Sequence, residues 1–162
     1  MKNRRMRDVV KLLISIVACQ CVGLIGSIFT TPSIPTWYAT LQKPPFTPPN
    51  WLFAPVWITL YLLMGISAFI IWRREVDKRR VREALIVFLI QLILNGLWSV
   101  VFFGLKSPLY GVVVIVALWI AILFTILKFF KLSTAAGGLL LPYILWVSFA
   151  AVLNISIWVL NP

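Results

Sequence analysis

Five long apolar runs, separated by short polar or proline-rich breaks, set the pattern of the chain. They cover about residues 9–30, 51–72, 84–105, 109–130 and 135–160. Each is close to the roughly 20 residues that a helix needs to cross about 30 Å of hydrocarbon. None shows the segments of about 10 alternating residues that a barrel strand would give. Inside lipid such segments must satisfy their own backbone, so they are helical. The pattern predicts an all-α integral membrane bundle of five transmembrane helices in a single domain, residues 1–162. The first run continues past Cys19 to Phe29, so it reads as a retained helix rather than a signal peptide. Gly23 and Ser27 give it a small-residue face that another helix can approach.

The break between the first two runs differs from the others. Five of the ten prolines, Pro44, Pro45, Pro48, Pro49 and Pro55, crowd its end and the start of the second run, Pro35 stands just upstream, and Trp37, Trp51 and Trp57 lie around them. Proline removes a backbone donor and pushes the preceding residue toward extended geometry, so Thr31–Asn50 cannot be one helix. Its aromatic content sets it apart from an idle linker. It reads as a stiff loop covering a pocket, the only part here free to move, with Trp51 through Tyr61 forming pocket wall on the second helix.

Composition agrees with the pattern. Hydrophobic residues make up 62% of the chain and mean hydropathy is +1.01, against about 45–50% apolar in a soluble domain. The net charge of +11 does not indicate nucleic acid, because the charges flank the apolar runs instead of lining a polar face. Thirteen of the fifteen Lys and Arg fall before or at the start of the first run, between the second and third, and at the end of the fourth; only Lys43 and Lys106 lie on the other side. The positive-inside rule then places the N-terminus in the cytoplasm, and the proline-rich loop and C-terminus opposite. The partner implied by this charge is the membrane lipid itself.

Candidate chemistry is sparse. The absence of His removes the commonest general base and metal ligand. The four acids, Asp8, Glu75, Asp77 and Glu83, lie at or beyond the ends of the runs, which leaves no mid-membrane proton relay. Cys19 and Cys21 point to different sides of one helix, so they read as buried apolar residues and not as a disulfide.

Polar and aromatic residues gather instead on helical faces. Gln91, Asn95, Trp98 and Phe102 share one face of the third run; Tyr143, Trp146, Ala150 and Asn154 share one of the fifth; Trp57, Tyr61 and Met64 share one of the second. The amides of Gln91 and Asn95 admit two readings: interhelical hydrogen-bonding partners, or donors and acceptors lining a cavity. Trp72 and Trp158 read as interfacial anchors, and Trp119 as packing or lipid-facing. Three such faces converge most simply in one flat-walled, uncharged pocket, suited to a large planar hydrophobic ligand.

The chain also resembles the TspO/MBR family, the tryptophan-rich sensory proteins related to the translocator protein. The resemblance rests on Trp37-Tyr38, Leu41-Gln42-Lys43-Pro44, Pro48-Pro49, Trp51, Pro55-Val56-Trp57, Leu60-Tyr61 and Met64-Gly65. It continues in Gln91-Leu92, Asn95, Trp98, Phe102-Phe103-Gly104, Pro142-Tyr143, Trp146, Phe149-Ala150 and Leu153-Asn154. It implies a five-helix bundle, a homodimer, and a pocket lidded by the first long loop. The implied ligand is a porphyrin such as protoporphyrin IX or a haem-like tetrapyrrole, with no required cofactor and no metal. Carried over position by position, the ligand-lining residues are Tyr38, Pro48, Trp57, Tyr61, Gln91, Asn95, Trp98, Trp146, Phe149 and Ala150. The segment from Ala150 to Pro162 has no Tyr, Lys or Arg, so it lacks the sterol motif of animal members, which points to a prokaryotic member. The leading expectation is a tetrapyrrole-binding sensor or receptor. The alternatives are light- and oxygen-dependent porphyrin degradation, with Trp57 and Trp146 as the oxidisable residues, and transport of hydrophobic ligands.

Overall fold

The computed structural model describes residues 2–75 and 77–162. The described residues are helical with no strand, and five helical segments are long and apolar enough to cross a membrane. The first crossing is α1 (Lys2–Ser33). A one-turn helix α2 (Trp37–Thr40) and a 3-10 turn (Asn50–Leu52) interrupt the loop before α3 (Phe53–Trp72). Next come α4 (Lys78–Ser99), which ends in a π-turn (Val100–Gly104), and α5 (Pro108–Leu132). The fifth crossing is split into α6 (Thr134–Leu139) and α7 (Leu141–Leu160).

α1 begins at Lys2, seven residues before its apolar run, and three other bounds differ from the hydrophobic pattern, each for a local reason. α4 begins six residues before the apolar run, because its first turns are charged yet well capped. The Asp77 carboxylate accepts from the Arg80 N–H, and Arg79 pairs with Glu83 at 3.1 Å one turn on. Most of the basic connector is therefore helix. The fifth run breaks at Leu140 because Pro142 lacks a donor; it sits in the first turn of α7, where none is required. α1 carries on to Ser33, whose hydroxyl donates to the Phe103 carbonyl at 3.0 Å.

α1 packs against both α3 and α4, α4 against α5, and α5 against α6 and α7. The backbones of α1 and α3 approach closely: a Cβ at Gly65 would lie 2.7 Å from the Ile16 Cα. The expected small-residue face on α1 is only partly used. Gly23 lies under the Tyr61 ring and Gly26 under Ser99, while Ser27 is exposed and donates to the Leu24 carbonyl. Cys19 is buried and Cys21 exposed.

The basic segments meet at one end of the bundle. Arg4 pairs with Glu75 at 3.3 Å, Lys11 stands 5.6 Å from the Trp72 ring, and Lys128 pairs with Glu83 at 3.4 Å. The proline-rich loop lies at the other end.

Candidate functional site

Two layers stack along the interior of the bundle. The deeper one is a hydrogen-bonded lock. The Tyr61 hydroxyl of α3 donates to Asn95 Oδ1 of α4. Asn95 Nδ2 donates to the Tyr143 hydroxyl of α7 at 2.9 Å, and that hydroxyl donates to Gln91 Oε1 at 2.8 Å. Gln91, Asn95, Tyr61 and Tyr143 are all buried, and the two tyrosines belong to the main apolar core with Met64, Ile115 and Leu118. One atom of the lock, Gln91 Nε2, has no partner among the described residues. Gln91 and Asn95 thus join three helices. Neither lines either of the two neighbouring spaces; Tyr61 and Tyr143 take up both polar atoms of Asn95 and the Gln91 Oε1.

One to two turns nearer the loop, the interior becomes aromatic and opens into a cavity of about 30 Å³. α4 and its π-turn supply Trp98, Phe102 and Phe103; α3 supplies Phe53 and Trp57; α7 supplies Trp146, Ala150, Leu153, Asn154 and Ile157; Tyr38 closes the top. Trp98 and Phe102 stack at 5.3 Å, and Phe53 meets Trp146 edge-on at 6.3 Å. No charged residue lines this cavity. The Asn154 amide is fully occupied: Oδ1 accepts from Trp98 Nε1 at 3.0 Å, and Nδ2 donates to the Pro108 carbonyl at 2.9 Å. That leaves the Tyr38 hydroxyl, buried and without a partner among the described residues. Burial pushes its phenol up to about 12, so it stays a proton donor across the neutral range.

A second, larger space of about 260 Å³ lies beside the first, between α1 and α3 with α4 as its floor. Gln20, Gly23, Ser27 and Thr30 line it from one face of α1, and Ile34 from just past the helix end. Ile34, Phe53, Trp57, Trp98 and Phe103 are walls of both spaces, so they form an aromatic partition one side chain thick.

The loop over the cavity is tied down. The Asn161 side chain pairs with the Gln42 backbone twice: its Oδ1 accepts from Gln42 N at 3.0 Å and its Nδ2 donates to Gln42 O at 2.9 Å. Lys43 Nζ donates to the Tyr38 and Leu41 carbonyls at 2.7 and 3.1 Å and lies 4.9 Å from the centre of the Tyr38 ring.

The expected ligand-lining residues therefore divide. Tyr38, Trp57, Trp98, Trp146 and Ala150 surround the small cavity, and Tyr61 faces the lateral space. Phe149 stands behind Trp146, between it and Phe46 of the loop, at 5.5 and 6.3 Å. Pro48 is half-buried in the loop and lines neither space, and Trp51 is 72% exposed. Trp119 is a packing residue; its Nε1 donates to Ser148 at 2.8 Å. Sequence reasoning missed Phe53 and Phe103. Phe53 stands one helical turn before Trp57, a spacing that was available. Phe103 gave no such signal, because a regular helix turns it about 100° from Phe102. The π-turn, closed by Leu105 N to the Val100 carbonyl at 2.9 Å, widens the backbone and turns both rings inward.

These features define a class: a multi-pass helical membrane protein with a lidded, uncharged aromatic cavity. The chain belongs to the TspO/MBR family, whose model matches residues 15–159. It is 48% identical over 155 residues to the tryptophan-rich protein TspO of Archaeoglobus fulgidus, a match covering 95% of this chain and 99% of that protein. It is 34% identical over 146 residues to the tryptophan-rich sensory protein of Cereibacter sphaeroides, covering 90% and 88%. It is also 34% identical over 137 residues to the human translocator protein, covering 83% and 80%.

Proposed function

We propose that the protein is a membrane sensor or receptor that binds a planar tetrapyrrole, such as protoporphyrin IX, in the aromatic cavity. The observation that carries this reading is the uncharged aromatic wall itself, with Trp57, Trp98, Trp146 and Phe102 offering ring faces and edges to a flat apolar ligand. The sensory and translocator names of its relatives agree with it. Recognition acts on the macrocycle, since a chain without His supplies no imidazole to an iron, so free-base porphyrin binds about as well as haem.

Size sets a requirement. A cavity of about 30 Å³ holds only a water or two, whereas ligand pockets of drug size run to roughly 300–1,000 Å³. The thin partition offers the room: turning Phe53 and Trp57 joins the cavity to the neighbouring space of about 260 Å³. The Tyr38 hydroxyl then gives the ligand one hydrogen-bond donor in an otherwise apolar site. We further propose that the basic end faces the cytoplasm and that the protein is a homodimer, a state that mass measurement in detergent decides.

The test is quenching of tryptophan fluorescence on titration with protoporphyrin IX. Saturable binding by the wild type is expected, with affinity at least about tenfold weaker in the Trp57→Ala, Trp146→Ala double variant. Equal affinity in the two proteins would overturn the site.

A further inference from the structure

At the end of the bundle away from the aromatic cavity there is a polar cleft of about 390 Å³ between the first turns of α4 and the last turns of α5. Arg80, Glu83, Lys128, Lys131 and Leu132 line it, a set with two positive charges in excess. Glu83 is already matched, by Arg79 at 3.1 Å and Lys128 at 3.4 Å. Arg80 pairs with Asp77 at 2.9 Å. Lys131 is exposed and makes no ion pair among the described residues. The C-terminus of α5 supplies only about half a negative charge from its backbone dipole. The cleft therefore keeps a cationic surplus that no group of the described chain neutralises.

Its depth is that of a lipid headgroup. With 25 residues, α5 is about 37 Å long, against roughly 30 Å of hydrocarbon. Its last two turns, with Lys128 and Lys131, thus reach the headgroup level. Lys131 also ends a lipid-facing row: Val113, Val116, Ile120, Phe124 and Leu127 are exposed on that face, and Lys131 is the next residue along it. On α4, exposed Ile86, Ile90, Ile93 and Leu97 continue the face that carries Glu83. Two apolar rows thus lead from mid-membrane to a cationic cleft.

We propose that this cleft binds the phosphate of an anionic phospholipid, with Lys128, Lys131 and Arg80 holding the phosphodiester and the acyl chains lying along the α4 and α5 rows. The charge surplus selects an anion, and the apolar rows select a lipid over free phosphate. The site is independent of the tetrapyrrole reading.

The test is thermal unfolding of the delipidated full-length protein in non-ionic detergent. Three additions are compared: phosphatidylglycerol, phosphatidylcholine with the same chains, and inorganic phosphate at matched ionic strength. Phosphatidylglycerol is expected to stabilise at markedly lower concentration than phosphatidylcholine, and inorganic phosphate to do nothing. Neutralising each lysine, Lys128→Gln or Lys131→Gln, should weaken the phosphatidylglycerol effect about fivefold. Lys131→Gln, at an exposed and unpaired residue, remains informative if the Lys128 variant fails to fold. Arg73→Gln with Arg74→Gln removes charge at the same end of the bundle but outside the cleft, and should leave the preference intact. Equal responses to the two lipids would overturn the proposal. So would an equal loss in the arginine control, which marks general surface potential, or a full response to phosphate alone, which marks a free-anion site.

Discussion

The lock and the aromatic cavity are built from the same helical faces and have opposite characters. On α4, Gln91 and Asn95 belong to the lock, while Trp98 and Phe102 belong to the cavity. On α7, Tyr143 is in the lock, and Trp146, Ala150 and Asn154 are in the cavity. On α3, Tyr61 is in the lock and Trp57 in the cavity. In the lock, every polar side-chain atom but Gln91 Nε2 is taken up by another. In the cavity, the Trp98 and Asn154 polar groups also satisfy each other, and the Tyr38 hydroxyl alone stays unused. The comparison teaches that a polar residue on an inward face is not thereby a ligand residue. What counts is whether a partner on a neighbouring helix reaches it first.

The largest effect expected on stability is at Asn95, the hub of the lock. Asn95→Leu strands the Tyr61 hydroxyl, leaves the Tyr143 hydroxyl only its bond to Gln91, and should cost about 2 kcal/mol, read as a lowered midpoint in detergent unfolding. A change within error would mean that the lock holds nothing together. In the cavity, removing the Trp57 and Trp146 rings should weaken porphyrin binding about 30-fold, or roughly 2 kcal/mol, as fluorescence titration reads it. The lid clasp comes next. Asn161→Ala removes both bonds to Gln42 and should raise chymotryptic cleavage after exposed Phe46 by about fivefold, the equivalent of roughly 1 kcal/mol. An unchanged cleavage rate would place the hold on the loop elsewhere, at Lys43. The smallest effect belongs to Gln91. Gln91→Leu loses one bond from Tyr143 but also removes an amide nitrogen buried without a partner, so stability should change by under about 1 kcal/mol.

Much of the fold was legible in the chain because a bilayer leaves few alternatives. Five apolar runs, a proline-rich break and a one-sided distribution of Lys and Arg are enough to describe five helices and one special loop. The features that escaped are those set by single local interactions. The charged start of α4 looked like a connector until Asp77 was seen capping it. The fifth crossing looked continuous until Pro142 was seen starting a new helix. The loop looked mobile because the Asn161 clasp joins residues 119 apart in sequence.

The cavity was legible in outline, since Trp57, Trp98, Trp146 and Ala150 lie on faces that a helical period reveals. Phe103 was not, because the period itself changes in the π-turn at Val100–Gly104. Spacing alone leaves both readings of Gln91 and Asn95 open, interhelical bonding and cavity lining. The facts that separate them are the positions of the Tyr61 and Tyr143 hydroxyls on two other helices.

The most direct test of the division between lock and cavity is a protoporphyrin IX titration of Gln91→Leu beside the Trp57→Ala, Trp146→Ala double variant, under conditions where both are folded. If the lock lies outside the site, Gln91→Leu keeps its affinity to within about twofold, while the tryptophan variant loses about 30-fold. A loss at Gln91 equal to that of the tryptophan pair would contradict the division and put the amide layer inside the binding site.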